Sequence, residues 1–321
     1  MVKNWKQDLA GREISFETGK LAKQANGSVM VRYGDSVVLV TATMSKPREG
    51  IDYLPLMVNY EERVYAIGKI PGSITRREGR PRDSATLNAR LIDRPLRPLF
   101  PEGFRHDIQV IATVLSVDDD CEPDILAMNG ASAALTLSDI PFAGPIAGVK
   151  VGLVDGELVV NPREEDQENS DLELTVAGTD DAVLMVEAGA DEVSEEKMVE
   201  AIELAHTEIK KLVKLQKQMR EEAGKEKYDF QREELDQEIY SEVKDYAKEK
   251  MDKAVRTKDK KTRENNVDSV KDETKEYFEE EYSESKDLDH ILSHVSRSLE
   301  KILKNSIRSL IVNENIRPDG R

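Results

Sequence analysis

The chain has 321 residues, a formal net charge of −17 and 5% aromatic residues. That length allows two domains, and the single cysteine, Cys121, excludes an internal disulfide and fits a reducing compartment. No apolar run approaches the length that crosses a bilayer and the first residues lack a signal-peptide core, so the expected setting is the cytoplasm, with no membrane partner.

In chain order, residues 27–43 read as a hairpin. Two β-rich runs flank Gly34-Asp35-Ser36, and the second is apolar enough to be a buried central strand. Residues 107–117 predict a strand in which Ile108, Val110, Ala112 and Val114 alternate with Gln109, Ile111 and Thr113. Residues 125–137 are helix-compatible and dominated by small side chains, which suits close packing on a sheet. A second hairpin is expected at 149–154 and 157–160 around Asp155-Gly156, and a third strand pair at 172–177 and 182–188. Residues 193–223 predict a long amphipathic helix, with Ile202, Leu204, Ile209, Leu212, Val213 and Leu215 at helical spacing. Strands followed by a packed helix and further strands give an α+β domain over 1–223. Residues 224–310 read as helical but polar, with one apolar stripe from Tyr228 to Ala247 and another from Leu288 to Ile307. Between them, 253–281 is so charged that a weakly packed helix is expected there.

The distribution of arginine points to chemistry. Residues 69–105 hold nine basic groups against four acidic ones, whereas 106–200 hold three basic and twenty-three acidic. Eight of the nine are Arg76, Arg77, Arg80, Arg82, Arg90, Arg94, Arg97 and Arg105. Guanidinium groups gathered against the global charge build a local anion site, and their planar fork grips phosphate bidentately. The competing account is a surface ion-pair network with Glu78, Asp83, Asp93 and Glu102. Gly68, Gly72 and Gly79 with Pro71 and Pro81 make the first part a turn-rich loop. Residues 86–92 then predict a short helix stopped by Pro95 and Pro98. Arg90, Arg94 and Arg97 would share one of its faces at spacings of four and three.

Longer motifs carry a resemblance. Gly68-Lys69-Ile70-Pro71-Gly72, Arg76-Arg77-Glu78-Gly79-Arg80-Pro81 and the run from Ala89-Arg90-Leu91-Ile92-Asp93-Arg94 to Pro101 closely resemble the first core domain of the bacterial polynucleotide phosphorylases. So do Glu17-Thr18-Gly19-Lys20-Leu21-Ala22, Val58-Asn59-Tyr60-Glu61-Glu62, Gly130-Ala131-Ser132-Ala133-Ala134-Leu135 and Val176-Ala177-Gly178-Thr179. The resemblance implies an RNase PH-like β-α-β core domain over 1–223 and an all-helical domain over 224–310. Residues 311–321 would be a linker and the start of a truncated second core domain, since Arg317-Pro318-Asp319-Gly320-Arg321 resembles its opening. It further implies phosphorolytic 3′-to-5′ degradation of single-stranded RNA to nucleoside diphosphates, reversible as polymerisation, in a homotrimeric ring open to RNA-degradation complex partners. Inorganic phosphate would be the co-substrate. Mg2+ would serve the parent enzyme's active domain rather than this segment, and Arg76, Arg77 and Arg80 would stand at the channel constriction.

Phosphorolysis needs arginines to align the polyanion, a seat for phosphate, and carboxylates that move a proton or hold a divalent ion. In the resembled family a serine-rich turn of the active second core domain supplies the seat. The matching place here runs from Glu122-Pro123-Asp124 to Gly130, where carboxylates would repel phosphate. Alignment on Val176–Thr179 puts Asp171 and Glu165 where that domain has its catalytic pair, although both also belong to an ordinary acidic loop. Asp118-Asp119-Asp120 reads as a solvated turn, and His290 with His294 lacks the further ligands of a zinc site. Cys121, ringed by acidic residues, lacks the basic neighbour a catalytic thiol needs. Three readings stand: an RNA-guiding, non-catalytic half-enzyme; a self-sufficient phosphorolytic enzyme using Glu165 and Asp171; and a structural assembly module.

Overall fold

The computed structural model describes residues 1–48, 51, 53–70, 78–230, 234–285 and 287–321. The chain forms two compact units, 1–232 and 233–321.

The first unit is α+β. Its larger sheet has the order β1-β2-β3-β4-β6-β5, from β1 (Lys3–Leu9), β2 (Arg12–Thr18), β3 (Gly27–Tyr33), β4 (Ser36–Met44), β5 (Leu56–Glu62) and β6 (Ile108–Ser116). All pairs are antiparallel except β5 with β6. The buried residues of β6 are Ile108, Val110, Ala112 and Val114, the alternation that its sequence carries. β4 lies at the centre between β3 and β6.

The smaller, antiparallel sheet has the order β10-β9-β7-β8, from β7 (Ala147–Val154), β8 (Glu157–Val160), β9 (Leu172–Gly178) and β10 (Val183–Ala190). Helix α2 (Pro123–Leu137) packs on β3, β4 and β6 and also on β7, so nearly every one of its residues is buried. Small residues make this possible. A Cβ on Gly130 would lie 2.6 Å from Val40 Cγ2 and 2.9 Å from Val31 Cγ2, closer than van der Waals radii allow.

A buried polar network fixes α2 against the second sheet. Asn129 Nδ2 donates to the Gly148 carbonyl at 2.9 Å, and its Oδ1 accepts the Gly148 N–H at 3.0 Å. Helix α4 (Glu195–Ala223) starts at Ser194, whose hydroxyl accepts the Lys197 N–H. Its Gln216 is fully buried, accepting from Ser132 Oγ at 2.7 Å and donating to the Ile146 carbonyl at 2.8 Å. After α4, the Lys225 and Tyr228 N–H groups bond to the Leu137 and Asp139 carbonyls, which keeps this stretch on the first unit. The break between units therefore falls at 232/233, beyond the end of the long helix.

The second unit is three helices, α5 (Gln237–Ala254), α6 (Lys260–Glu281) and α7 (Leu288–Glu314). Asp236 caps α5 by accepting the Glu238 and Ile239 N–H groups, and its own N–H donates to Nδ1 of the buried His294 at 3.1 Å. The charged stretch around α6 is a continuous helix, not the loosely held one its composition predicts. Val267, Val270, Thr274 and Phe278 recur at spacings of three and four and are buried, which suffices to anchor an otherwise solvated helix. No helix among the described residues is long and apolar enough to cross a membrane.

Candidate nucleic-acid interface

The arginine segment begins where β5 ends. A 3-10 turn (Val64–Ile67) is closed by Gly68 at φ 69°, a left-handed conformation that glycine adopts without strain. Glu78 ties the far side of the loop to this turn. Its Oε1 accepts the Val64 N–H at 2.8 Å and its Oε2 accepts from Arg63 Nη1 at 3.1 Å. The Val64 N–H, and then Arg63, hold the Glu78 carboxyl below the usual carboxylate range.

Helix α1 (Asp83–Leu96) follows, with Ala85, Leu91, Ile92, Pro95 and Leu96 buried. It passes through Pro95, where the sequence predicts a stop. The proline falls in the last turn, and the Arg97 N–H donates to the Asp93 carbonyl across it. The three arginines of this stretch divide by environment. Arg97 is held by its own fold, with Nη2 2.8 Å from Asp93 Oδ1 and side-chain N–H groups on the Leu54 and Leu56 carbonyls at 3.1 Å. Arg94 reaches Glu187 of β10 at 2.5 Å. Arg90 is exposed and, among the described residues, has no acidic partner; the same holds for Arg80. Arg76 and Arg77 lie outside the described residues. The ion-pair account of this segment therefore fits Arg94 and Arg97 but leaves Arg80 and Arg90 free to meet an external anion.

Arg80 and Arg82 line a cleft of about 710 Å³, together with Tyr60, Arg63, Glu78 and Pro123. Burial, reinforced by the Asp124 and Glu62 carboxylates, raises the Tyr60 phenol above its ordinary range, so it is a neutral hydroxyl at the cleft wall.

The cleft thus runs from the arginine loop to the first residue of α2, the place where the sequence looks for a phosphate seat. Here Glu122 and Asp124 both pair with Lys150 of β7, which lies 2.9 Å from Asp124. Burial alone would lower the Lys150 ammonium; Asp124 and Glu122 outweigh it and raise it above its usual range. This place is therefore taken up by an internal cluster of two carboxylates and one ammonium, which still carries one net negative charge. Two backbone donors are also spent, since Pro123 has no N–H and the Ile125 N–H bonds to Asp124 Oδ1 at 2.6 Å. Lys150 escaped the sequence reading. Its signal was there: residues 107–162 hold nine carboxylates and this one Lys or Arg.

Glu165 and Asp171 are not brought into this cleft. Glu165 is exposed on the single helical turn α3 (Glu164–Gln167). Asp171, also exposed, lines a separate cleft of about 490 Å³ with Glu168, Glu173, Asp191 and Lys150. Among the described residues no three His, Cys, Asp or Glu side chains converge as a metal-ligand set. Cys121 is buried and receives an Arg12 N–H at 3.2 Å; burial pushes its thiol up despite Arg12.

Comparison with known proteins settles the family. The 3′ exoribonuclease family models match residues 10–141 (domain 1) and 144–208 (domain 2), and the polyribonucleotide nucleotidyltransferase RNA binding domain matches 238–321. The chain belongs to the polyribonucleotide nucleotidyltransferase family. It is 66% identical to the polyribonucleotide nucleotidyltransferase of Halothermothrix orenii, covering 100% of this chain and 46% of that protein. The enzyme of the same name from Staphylococcus carnosus is 53% identical over 99% of this chain and 45% of its own length. The chain spans just under half the length of the curated relatives it matches. In fold it is similar to rice (Oryza sativa) Rrp46, with a TM-score of 0.52 at 18% identity over 64% of this chain and 93% of that one.

Proposed function

We propose that this chain is the RNA-guiding, non-catalytic part of a polyribonucleotide nucleotidyltransferase, a phosphorolytic 3′-to-5′ exoribonuclease that releases nucleoside diphosphates. The observation that carries this reading is the pairing of unspent arginines with a spent seat. Arg80 and Arg90 have no internal carboxylate among the described residues, while the place for phosphate is closed by Glu122, Lys150 and Asp124. Cations of this kind hold an RNA backbone without reading its sequence. Inorganic phosphate and Mg2+ then act in another domain of the whole protein, and the chain's partners are single-stranded RNA and two further copies in a trimeric ring.

Titrating binding of labelled oligo(A) against salt tests this. The affinity should fall steeply with salt, by about 0.7 in logarithmic slope per phosphate contact on a single strand, and R80A/R90A should flatten the slope. Binding that ignores both salt and this variant refutes the guiding role. Incubation of the chain with oligo(A) and phosphate should release no nucleoside diphosphate. Release that vanishes in D171N would make the chain an enzyme in its own right.

A further inference from the structure

The last carbonyls of a helix have no partner inside it. In α2 they lie at a buried end, since Leu135, Thr136, Leu137 and Ser138 are each at most 4% exposed. Their donors come from about ninety residues further along the chain. Lys227 Nζ donates to the Leu135 carbonyl at 2.8 Å, to Thr136 at 3.1 Å and to Ser138 at 2.6 Å, which spends all three of its protons. The Lys225 N–H takes the Leu137 carbonyl at 3.0 Å and the Tyr228 N–H takes that of Asp139 at 2.7 Å. One short segment thus caps every carbonyl from Leu135 to Asp139, with Ser138 Oγ as a second donor to Leu135. A helix C-terminus is the negative pole of its dipole, which suits an ammonium. Burial, reinforced by Arg220 and opposed by Asp139, pushes the Lys227 ammonium down to about 8, which leaves it charged at neutral pH.

The segment turns off α4 at Gly224. Its N–H bonds to the Arg220 carbonyl at 2.8 Å, and a Cβ there would stand 2.5 Å from the same oxygen. Lys225 Nζ reaches the Asn26 carbonyl at 2.7 Å. Tyr228 tilts over His106 with centroids 5.2 Å apart, His106 stacks on Phe104 at 4.8 Å, and Phe230 meets Phe104 edge-on at 5.0 Å. The segment nevertheless stays at the surface. Lys225, Glu226, Tyr228 and Asp229 are exposed, and Lys227 and Phe230 are half-buried. Chain held by hydrogen bonds and ring edges, with little burial, belongs to the low end of local stability.

We infer that residues 225–230 are a releasable strap, latched by Lys227, whose docking sets the length of free chain between the two units. Docked, five residues (231–235) separate Phe230 from Asp236, the cap of α5. Released, twelve residues (224–235) run from the end of α4 to the same cap. At about 3.5 Å per extended residue, the reach of the second unit grows from at most about 20 Å to at most about 40 Å. The bonds that hold the strap are also the cap of α2, so the two are coupled in both directions. Releasing the strap bares the last turn of α2, and fraying that turn frees the strap. The unit on this tether is the one that the RNA binding domain model matches. The inference itself rests on bonds within the first unit and does not require the chain to bind RNA.

Native-state hydrogen exchange of the full 321-residue chain tests this before any variant is made. The Lys225 and Tyr228 amides should exchange at least about tenfold faster than those of 128–134 in the middle of α2, through an opening that low urea hardly changes. K227M removes the three donors and should speed exchange of the Lys225, Tyr228 and Ser138 amides by about tenfold, the scale of hydrogen bonds from a charged group. Chymotrypsin cleavage after Tyr228 or Phe230 should rise by a similar factor. Spin labels on E157C and E276C, two exposed positions in different units, should report a broader distribution of distances in K227M than with Lys227 present. Strap amides that exchange only together with the interior of α2 would make the segment part of the core and overturn the inference. So would a K227M chain that exchanges and is cleaved like the wild type, or one that loses its structure globally. An unchanged distance distribution in a K227M chain with a freed strap would defeat the tether.

Discussion

Removing Lys150 tests whether the Glu122–Lys150–Asp124 cluster is a closed structural unit. The Lys150 side chain is 12% exposed, Asp124 11% and Glu122 35%. In K150M two carboxylates keep their burial and lose their cation. Breaking a buried pair from one side costs about 3–5 kcal/mol; Glu122 is screened by solvent, which favours the lower end, about 3 kcal/mol. For a unit of this size that lowers the thermal midpoint by about 6–12 °C. Neutralising the whole cluster in E122Q/D124N/K150M should recover most of the loss, because no charge is then left stranded. The pH dependence has a definite sign. The fold raises Lys150, so the wild-type contribution is fully present below about pH 10.4, the unfolded value, and is lost as the pH climbs beyond it. In K150M the stranded carboxylates relieve themselves by taking up protons, so its deficit should narrow toward acid pH. Urea unfolding of the three proteins at neutral and acid pH is the assay. A K150M midpoint equal to wild type, or a triple variant as unstable as the single one, refutes the reasoning.

Other outcomes are expected. R76A/R77A should weaken binding of single-stranded RNA by about 1–3 kcal/mol with the fold intact; unchanged affinity at moderate salt counts against a guiding loop. N129L should cost about 3 kcal/mol in urea unfolding, because it strands the N–H and C=O of buried Gly148 together; a loss below about 1 kcal/mol would mean that the network relaxes around the change. β5 and β10 are edge strands that expose Met57, Leu184 and Val186, so the chain should self-associate; sedimentation as a concentration-independent monomer would contradict this.

Much of the fold was legible because its apolar residues keep a clean period. β6 buries every second residue from Ile108 to Val114, and α4 buries Ile209, Leu212, Val213 and Gln216 along one face. β1 and β2 escaped notice because each buries only two side chains, Trp5 and Leu9 in one and Ile14 and Phe16 in the other, among charged and polar neighbours. A short strand with one wet face carries little hydrophobic signal. Proline at 95 predicted a stop that the structure overrides, since near a helix end the disruption it causes is small. The site divided in the same way. The spacing of Arg90, Arg94 and Arg97 was visible, but their fates were not, because Glu187 lies ninety-three residues beyond Arg94 and is delivered by the β10 edge. Lys150 stood out as the one Lys or Arg among nine carboxylates in 107–162, but its pairing was unreadable for the same reason. Its partners are twenty-eight and twenty-six residues away, and only the packing of α2 against β7 brings them together.

A net charge of −17 makes uncompensated cations informative, because the surrounding field would pull a carboxylate toward any cation within reach. Lys150, Arg94 and Arg97 have each been met in this way. Among the described residues, Arg80 and Arg90 in the first unit, and Lys244, Lys248 and Lys301 in the second, have not, although each unit carries carboxylates in excess. The acidic background repels a polyanion. On the guiding role proposed above, a strand of RNA would be drawn to places where cations stand open in groups, its path set as much by the charge that excludes it as by the charge that holds it. The same logic separates guiding from catalysis. Holding RNA needs cations that stay free until the strand arrives, whereas activating phosphate needs a concentrated positive seat beside the scissile bond, and in this chain Lys150, the cation beside the first turn of α2, is already bound to Glu122 and Asp124.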